Sequence, residues 1–267
     1  MPFVYSDCNC SPLVIDKEYE IVDEDQLAEY VGRIVLGHYA HIKRIINTLS
    51  STPPRAASTD IDLAQEKLRT LGKSAKAIEK RDGWVFQIIS WLALLSEYNG
   101  RNYYCQQPHD APAQHGLDGV AIILNDTNQI ESIIITEDKC TENHRTIIPT
   151  VWQEFVEFEA GIHNNKLVSR ISAMIESLND GKILEENQNN IYRPELRVYR
   201  VGINRNNTYQ ANDGRRALFK GYDGCVTGDN PHRRFASTLY SDDIRAWMEQ
   251  FCQKAIAYLE TQKAAHV

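Results

Sequence analysis

The run from Trp84 to Leu95 is apolar almost all round, with Gln87 and Ser90 its polar residues. A helix of this kind has no face to give to water and must be covered by protein on most sides. It falls well short of the roughly 20 residues a bilayer span requires. It therefore predicts the central helix of a soluble domain with a large core. The chain has the length for this: 267 residues, 42% hydrophobic and 24% charged, suffice for one large α/β domain or two small ones. They exclude a disordered tail and a disulfide-stapled miniprotein. The start, Met1 to Tyr5, has neither a basic nor an apolar leader segment, so the expected location is cytoplasmic, with no membrane partner. The cysteines, Cys8, Cys10, Cys105, Cys140, Cys225 and Cys252, follow no regular framework, which fits reduced thiols. Cys8 and Cys10 have no second ligand pair and give no zinc motif.

Two short strands are expected at Phe3 to Ser6 and Glu18 to Val22. The acids Asp23 to Asp25 then open one long helix carrying Leu27, Val31, Ile34, Val35, Ile42, Ile45 and Leu49. His38 and His41 sit three apart on it without a third ligand in view and read as packing residues. Ser50 to Thr59, with Pro53-Pro54, reads as a hinge. This divides the chain into an N-terminal part, 1–59, and a main domain, 60–267. A polar helix is expected from Ile61 to Lys80, ending at Asp82-Gly83. Strands follow at Val120 to Leu124 and Ile130 to Thr136, joined by a turn at Asn125 to Asn128. Two amphipathic helices, around Trp152 and from Leu167 to Leu178, break at Gly161. A strand from Glu195 to Ile203 and a final helix capped by Ser241 complete an α/β fold: a mixed central sheet flanked by helices.

Charge placed where an apolar hairpin ends calls for an explanation. Asp118 precedes the first strand, and Glu137-Asp138-Lys139 closes the second. Side chains alternate along a strand, so Glu137 and Lys139 share a face and Asp138 points away. With Leu124 opposite Gln129, Asp118 faces Ile135 and lies diagonal to Glu137, within reach of one shared ion. Two convergent carboxylates suit Mg²⁺ or Mn²⁺, with a carbonyl near Asp138 as a further ligand. Lys139 is then placed to hold water and offset growing negative charge. The expected chemistry is metal-assisted phosphodiester hydrolysis, with Asp118, Glu137 and Lys139 catalytic and Asp118 and Glu137 holding the metal.

These residues resemble the PD-(D/E)xK nuclease superfamily, whose restriction-endonuclease-like core carries an acid on one strand and acid-x-Lys on the next, after a helix. The resemblance spans Asp82 to Leu178. Two departures stand: Gly116-Leu117 replaces the proline before Asp118, and the helix offers Gln87 where many members carry a glutamate. Gly116 to Val120, Glu137 to Lys139 and the Trp152-containing helices are more narrowly similar to the nuclease subunits (HamA) of the Hachiman antiphage defence system. That similarity implies an effector subunit acting on DNA with a helicase partner (HamB-like).

The net charge of −7 argues against nonspecific nucleic-acid coating. A local basic run nevertheless stands between Ile191 and Lys220, where Arg197, Arg200, Arg215 and Arg216 are candidate nucleic-acid contacts, followed by His232-Arg233-Arg234. A solvated face balancing acids elsewhere is the plain alternative. His115 and His144 flank the acids in sequence and read as ordinary loop histidines, Gln153 as a helix-surface residue, and Tyr103 and Tyr104 as either base-stacking or core-edge residues. Two other functions are compatible with these residues: a catalytically inactive nuclease-fold adaptor or sensor, which the missing helix acid favours, and an RNA nuclease.

Overall fold

The computed structural model describes residues 1–112, 117–178 and 181–264. Seven strands form one mixed sheet in the order β1-β2-β7-β6-β5-β4-β3. They are β1 (Phe3–Cys8), β2 (Ile15–Ile21), β3 (Tyr103–Cys105), β4 (Gly119–Leu124), β5 (Ile130–Lys139), β6 (Arg197–Arg205) and β7 (Arg234–Tyr240). The four central strands β2, β7, β6 and β5 run parallel, and β1, β4 and β3 are antiparallel to their neighbours. The expected α/β class with a mixed, helix-flanked sheet is the one observed. Through β1 and β2 the first 59 residues add strands to the same sheet.

Helices cover both faces. On one side lie α1 (Glu24–Val35), α2 (Tyr39–Ile46), α3 (Ser58–Leu68), α4 (Ala75–Glu97) and α9 (Ile244–Ala264), packed on Ala121, Ile123, Ile134 and Phe235. On the other lie α5 (His144–Glu159), α6 (Asn164–Glu176), α7 (Gly181–Asn187) and α8 (Asn212–Leu218), around Val120, Ile122, Ile133, Ile135 and Val201. Val85, Phe86, Ile88, Ile89 and Leu92 of α4 are fully buried, as an all-apolar helix requires. At about 1.5–3 kcal/mol for each large side chain removed from water, α4 is a principal source of stability. Its Trp84 and Trp91 indoles donate to the carbonyls of His109 (2.7 Å) and Gln106 (2.9 Å), fastening the loop before β4. Among the described residues, no helix is long and apolar enough to cross a membrane.

Several boundaries differ from expectation, each for a visible reason. The single helix expected over 23–49 is two, because Gly37 adopts φ +86° and ends α1 with amide bonds from Gly37 to Ile34 and from His38 to Arg33. Asp82-Gly83 does not break α4, because Asp82 is buried between Arg81 and Arg245, both at 2.7 Å, and so serves as a counter-ion. The break falls earlier, at Ser74, whose hydroxyl accepts from the Ala77 amide. The last helix is capped by Asp243, which accepts from the Ala246 amide at 2.9 Å, two residues beyond Ser241. Strand β7 was not expected at all.

Gly202 of β6 pairs with Asp138 of β5 and leaves space for a buried polar cluster beneath it. A Cβ there would lie 2.0 Å from the Asp138 carboxylate and 2.7 Å from the Ser90 hydroxyl. Gly202→Ala is expected to lose about 2 kcal/mol or more of folding stability, through overpacking and disruption of a buried ion pair. Urea denaturation checks this; a wild-type midpoint would contradict the packing described.

Candidate active site

The site is built at the carboxyl end of β5, where parallel sheets of this kind commonly place ligands. Because β4 runs antiparallel, its start comes to the same end. The observed register pairs Gly119 with Thr136 and Val120 with Ile135, so one further step puts Asp118 opposite Glu137 and not opposite Ile135 as expected. Two single-residue slips cause the difference. The turn closes with Leu124 opposite Ile130, one residue later than supposed, and a bulge between Ile123 and Leu124 adds the second. Each slip alone would turn every side chain to the other face. Together they restore parity, so the acids still converge and do so more directly.

The Lys139 ammonium lies 2.9 Å from the Glu137 carboxylate and 3.9 Å from that of Asp118. Asp118 is fixed from two sides: the Gln87 side-chain amide donates to its Oδ1 and to its carbonyl, both at 3.0 Å, and the Asp138 amide donates to its Oδ2 at 2.9 Å. Gln87 thus occupies the helix position where an acid was absent and holds a carboxylate in place. Glu137 is only 4% exposed. Burial and the charge of Asp118 push its carboxyl well above the ordinary range, against the pull of Lys139. Burial alone would lower the Lys139 ammonium, but the carboxylates of Glu137 and Asp118 outweigh it and hold the pKa above the usual lysine value.

Glu154 of α5 is a member that the sequence reading missed. Its charge helps to raise the Glu137 carboxyl and adds to the negative surroundings of Lys139. A signal existed: Glu154 stands three residues after Val151 and four before Phe158, on the inward side of the stripe through Val151, Phe155 and Phe158. A cleft of about 430 Å³ adjoins Lys139, lined by Glu79, Gly83, Cys140, Asn143 and Thr146. A larger cavity, about 700 Å³ and bordered by Asp16, Lys17, Glu97 and Arg101, lies at the other end of the parallel strands, away from Lys139.

Asp138 points to the opposite face, as alternation requires, but it is not a spectator. It is buried against Ser90 (2.5 Å) and Arg200 (3.2 Å), and burial raises its pKa to about 6 despite the arginine. The basic run is a correction. Arg197 and Arg200 are each 1% exposed and Arg215 2%. Arg197 donates to the Phe158 carbonyl at 2.7 Å and to Asn164 at 2.9 Å, Arg200 to Ser90, Asp138 and Ser237, and Arg215 to Asp16 and Thr238. They neutralise buried acids or satisfy buried oxygens and present no cations to phosphate. Arg216 is exposed and pairs with Asp213 at 3.1 Å.

The remaining candidates fall mostly on the structural side. His144 is buried against the Asn204 carbonyl (2.8 Å), Gln153 pairs with Glu157 on the helix surface, and Tyr103 is buried and stacked on Tyr98. His41 bonds Ser51. His115 lies outside the described residues. Among the described residues, no group of three or more histidine, cysteine or acidic side chains is placed to hold a metal ion. The site offers a pair of hard oxygen donors, Asp118 and Glu137, facing one another. No family model, curated protein or solved structure matches the chain.

Removing one partner of a buried ion pair typically costs about 3–5 kcal/mol. Arg215→Ala is therefore expected to lose stability of that order, while Arg216→Ala changes it by less than about 0.5 kcal/mol. Thermal or urea unfolding of both variants checks the assignment. A stable Arg215→Ala variant with weakened DNA binding would restore the surface-patch reading.

Proposed function

We propose that the chain is a divalent-metal-dependent DNA nuclease. The observation that carries this is the meeting of Asp118, just before β4, with Glu137 and Lys139 of β5 at a sheet end where Lys139 lines a cleft. The donor set fits a small hard cation. Asp118 and Glu137 supply oxygen ligands, and the repulsion by which Asp118 raises the buried Glu137 carboxyl is what an ion of charge two would relieve. When bound there, Mg²⁺ or Mn²⁺ supplies Lewis-acid polarisation of the phosphodiester and eases deprotonation of water.

The chain's own residues do the rest. Gln87 and the Asp138 amide keep Asp118 from turning toward solvent. Lys139 stays protonated between its carboxylates and donates a hydrogen bond toward an oxygen entering the cleft, offsetting charge that grows on phosphate oxygens as the bond breaks. With Glu137 on the metal, Glu154 is the neighbouring carboxylate left to accept a proton leaving water. The similarity to Hachiman nuclease subunits supports placing this activity in cytoplasmic antiphage defence, as an effector delivered to DNA by a HamB-like helicase. Delivery also suits the chain itself: its net charge is −7, and Arg197, Arg200 and Arg215 of the basic run are buried away from phosphate.

A second reading, an inactive nuclease-fold adaptor, draws on Gln87 standing in place of an acid and on a site with two facing carboxylates and no metal-holding group of three. Cleavage assays separate the two. Glu137→Gln and Lys139→Gln are expected to reduce Mg²⁺- or Mn²⁺-dependent cleavage of DNA by about 10²-fold or more while both variants remain folded. Single-stranded DNA, duplex DNA and RNA are offered in parallel, with and without the helicase partner. Undiminished cutting by both variants would remove the site assignment, absence of any cutting by wild type under every condition would favour the adaptor, and cutting confined to RNA would replace the substrate.

A further inference from the structure

A second cavity, about 560 Å³, lies between the end of α1, the loop over 47–57 and the last turns of α9. Its lining includes Arg33, His38, Pro54, Arg55, Tyr258 and Gln262. Among the described residues, no aspartate or glutamate lines it. Arg33 uses its Nε on Glu29 (2.9 Å) and spreads its guanidinium over the Tyr258 ring at 5.4 Å. Arg55 is exposed, and among the described residues it has no ion-pair partner.

Among the described residues, two polar atoms on this wall are buried without a hydrogen-bond partner: Nδ1 of His38 and the Tyr258 hydroxyl, the latter close to the charges of Arg33 and Glu29. Of the nine such atoms among the described residues, these two share the wall of one cavity with room for a polar group that would satisfy both. Burial, with Arg33 and His41 nearby, lowers the His38 pKa and keeps its ring neutral at neutral pH. The lining thus includes two arginines, one of them paired through Nε with Glu29, together with a phenol and a neutral imidazole. That set is rich in donors, carries positive charge and matches an oxyanion, for which arginine provides paired parallel bonds.

Size refines the class. A lone phosphate fills a small part of this space, whereas cavities of about 300–1,000 Å³ hold organic ligands of small-molecule size. Pro53, Pro54 and the Tyr258 ring offer flat apolar walls for such a body. We propose that this cavity is a binding site for a small phosphate ester with a ring-bearing organic part, of mononucleotide size, independent of the carboxylate site. The Schellman turn at Gly37 creates the site by turning His38 away from α1, and the loop over 47–57 is tied across it by Arg44 to the Ser50 carbonyl and by His41 to Ser51.

Calorimetric titration of the full chain tests this with three probes: adenosine 5′-monophosphate, inorganic phosphate and adenosine. The nucleotide is expected to bind once per chain, with phosphate competing more weakly and adenosine weaker still. Arg55→Glu, at an exposed unpaired position, is expected to weaken nucleotide binding at least tenfold without moving the thermal transition, and His38→Phe to weaken it as well. Glu137→Gln is expected to leave it unchanged. Failure of both phosphate-bearing probes to bind, or binding indifferent to Arg55→Glu and His38→Phe, would overturn the site. Adenosine binding as tightly as the nucleotide would overturn its anionic character, and phosphate binding as tightly would overturn the organic part.

Discussion

Strand β5 carries three consecutive charged residues, Glu137, Asp138 and Lys139, into the interior, and strand alternation sends them to two faces of the sheet. Everything specific about this molecule follows from how those charges are neutralised. On the α4 face, Asp138 meets Ser90 and Arg200, and a glycine at position 202 gives the cluster its room. On the α5 face, Glu137 meets Lys139, with Asp118 across the hairpin. The first cluster is buried and serves the fold. The second reaches the cleft at the strand end through Lys139 and keeps an excess of negative charge.

The two clusters are also connected. The Asp138 amide holds Asp118 while its side chain is buried with Arg200, so the structural cluster fixes the backbone from which the open one is hung. Gln87 does the same from α4. The all-apolar helix is therefore more than a core element: its polar interruptions, Gln87 and Ser90, are the points at which it grips the two acids on either side of the sheet. Rigid support of this kind is what positions reactive groups to a fraction of an ångström.

Much of this was legible in the sequence because the signals were local. Apolar runs marked β4, β5 and α4, and the spacing of Glu137 and Lys139 fixed their common face. What was not legible depended on distant partners. Arg215 reads as a surface cation until Asp16, 199 residues away, is brought beside it. Arg200 reads the same way until Asp138 arrives from 62 residues away. Strand β7 was missed because Arg234, Ser237 and Thr238 break the apolar pattern, although all three are buried and Arg234 donates through Nη2 to the carbonyls of Asp223 and Gly228. Buried polar residues with remote partners erase the very alternation by which strands are read.

The proposed chemistry requires Asp118 and Glu137 to form one cation site. Electron paramagnetic resonance of Mn²⁺ titrated into the full chain tests it directly by counting bound ions. One ion per wild-type chain is predicted, displaced by Mg²⁺ and lost in Asp118→Asn. Retention of that same bound ion in Asp118→Asn, or no bound ion in the wild type, would contradict the claim.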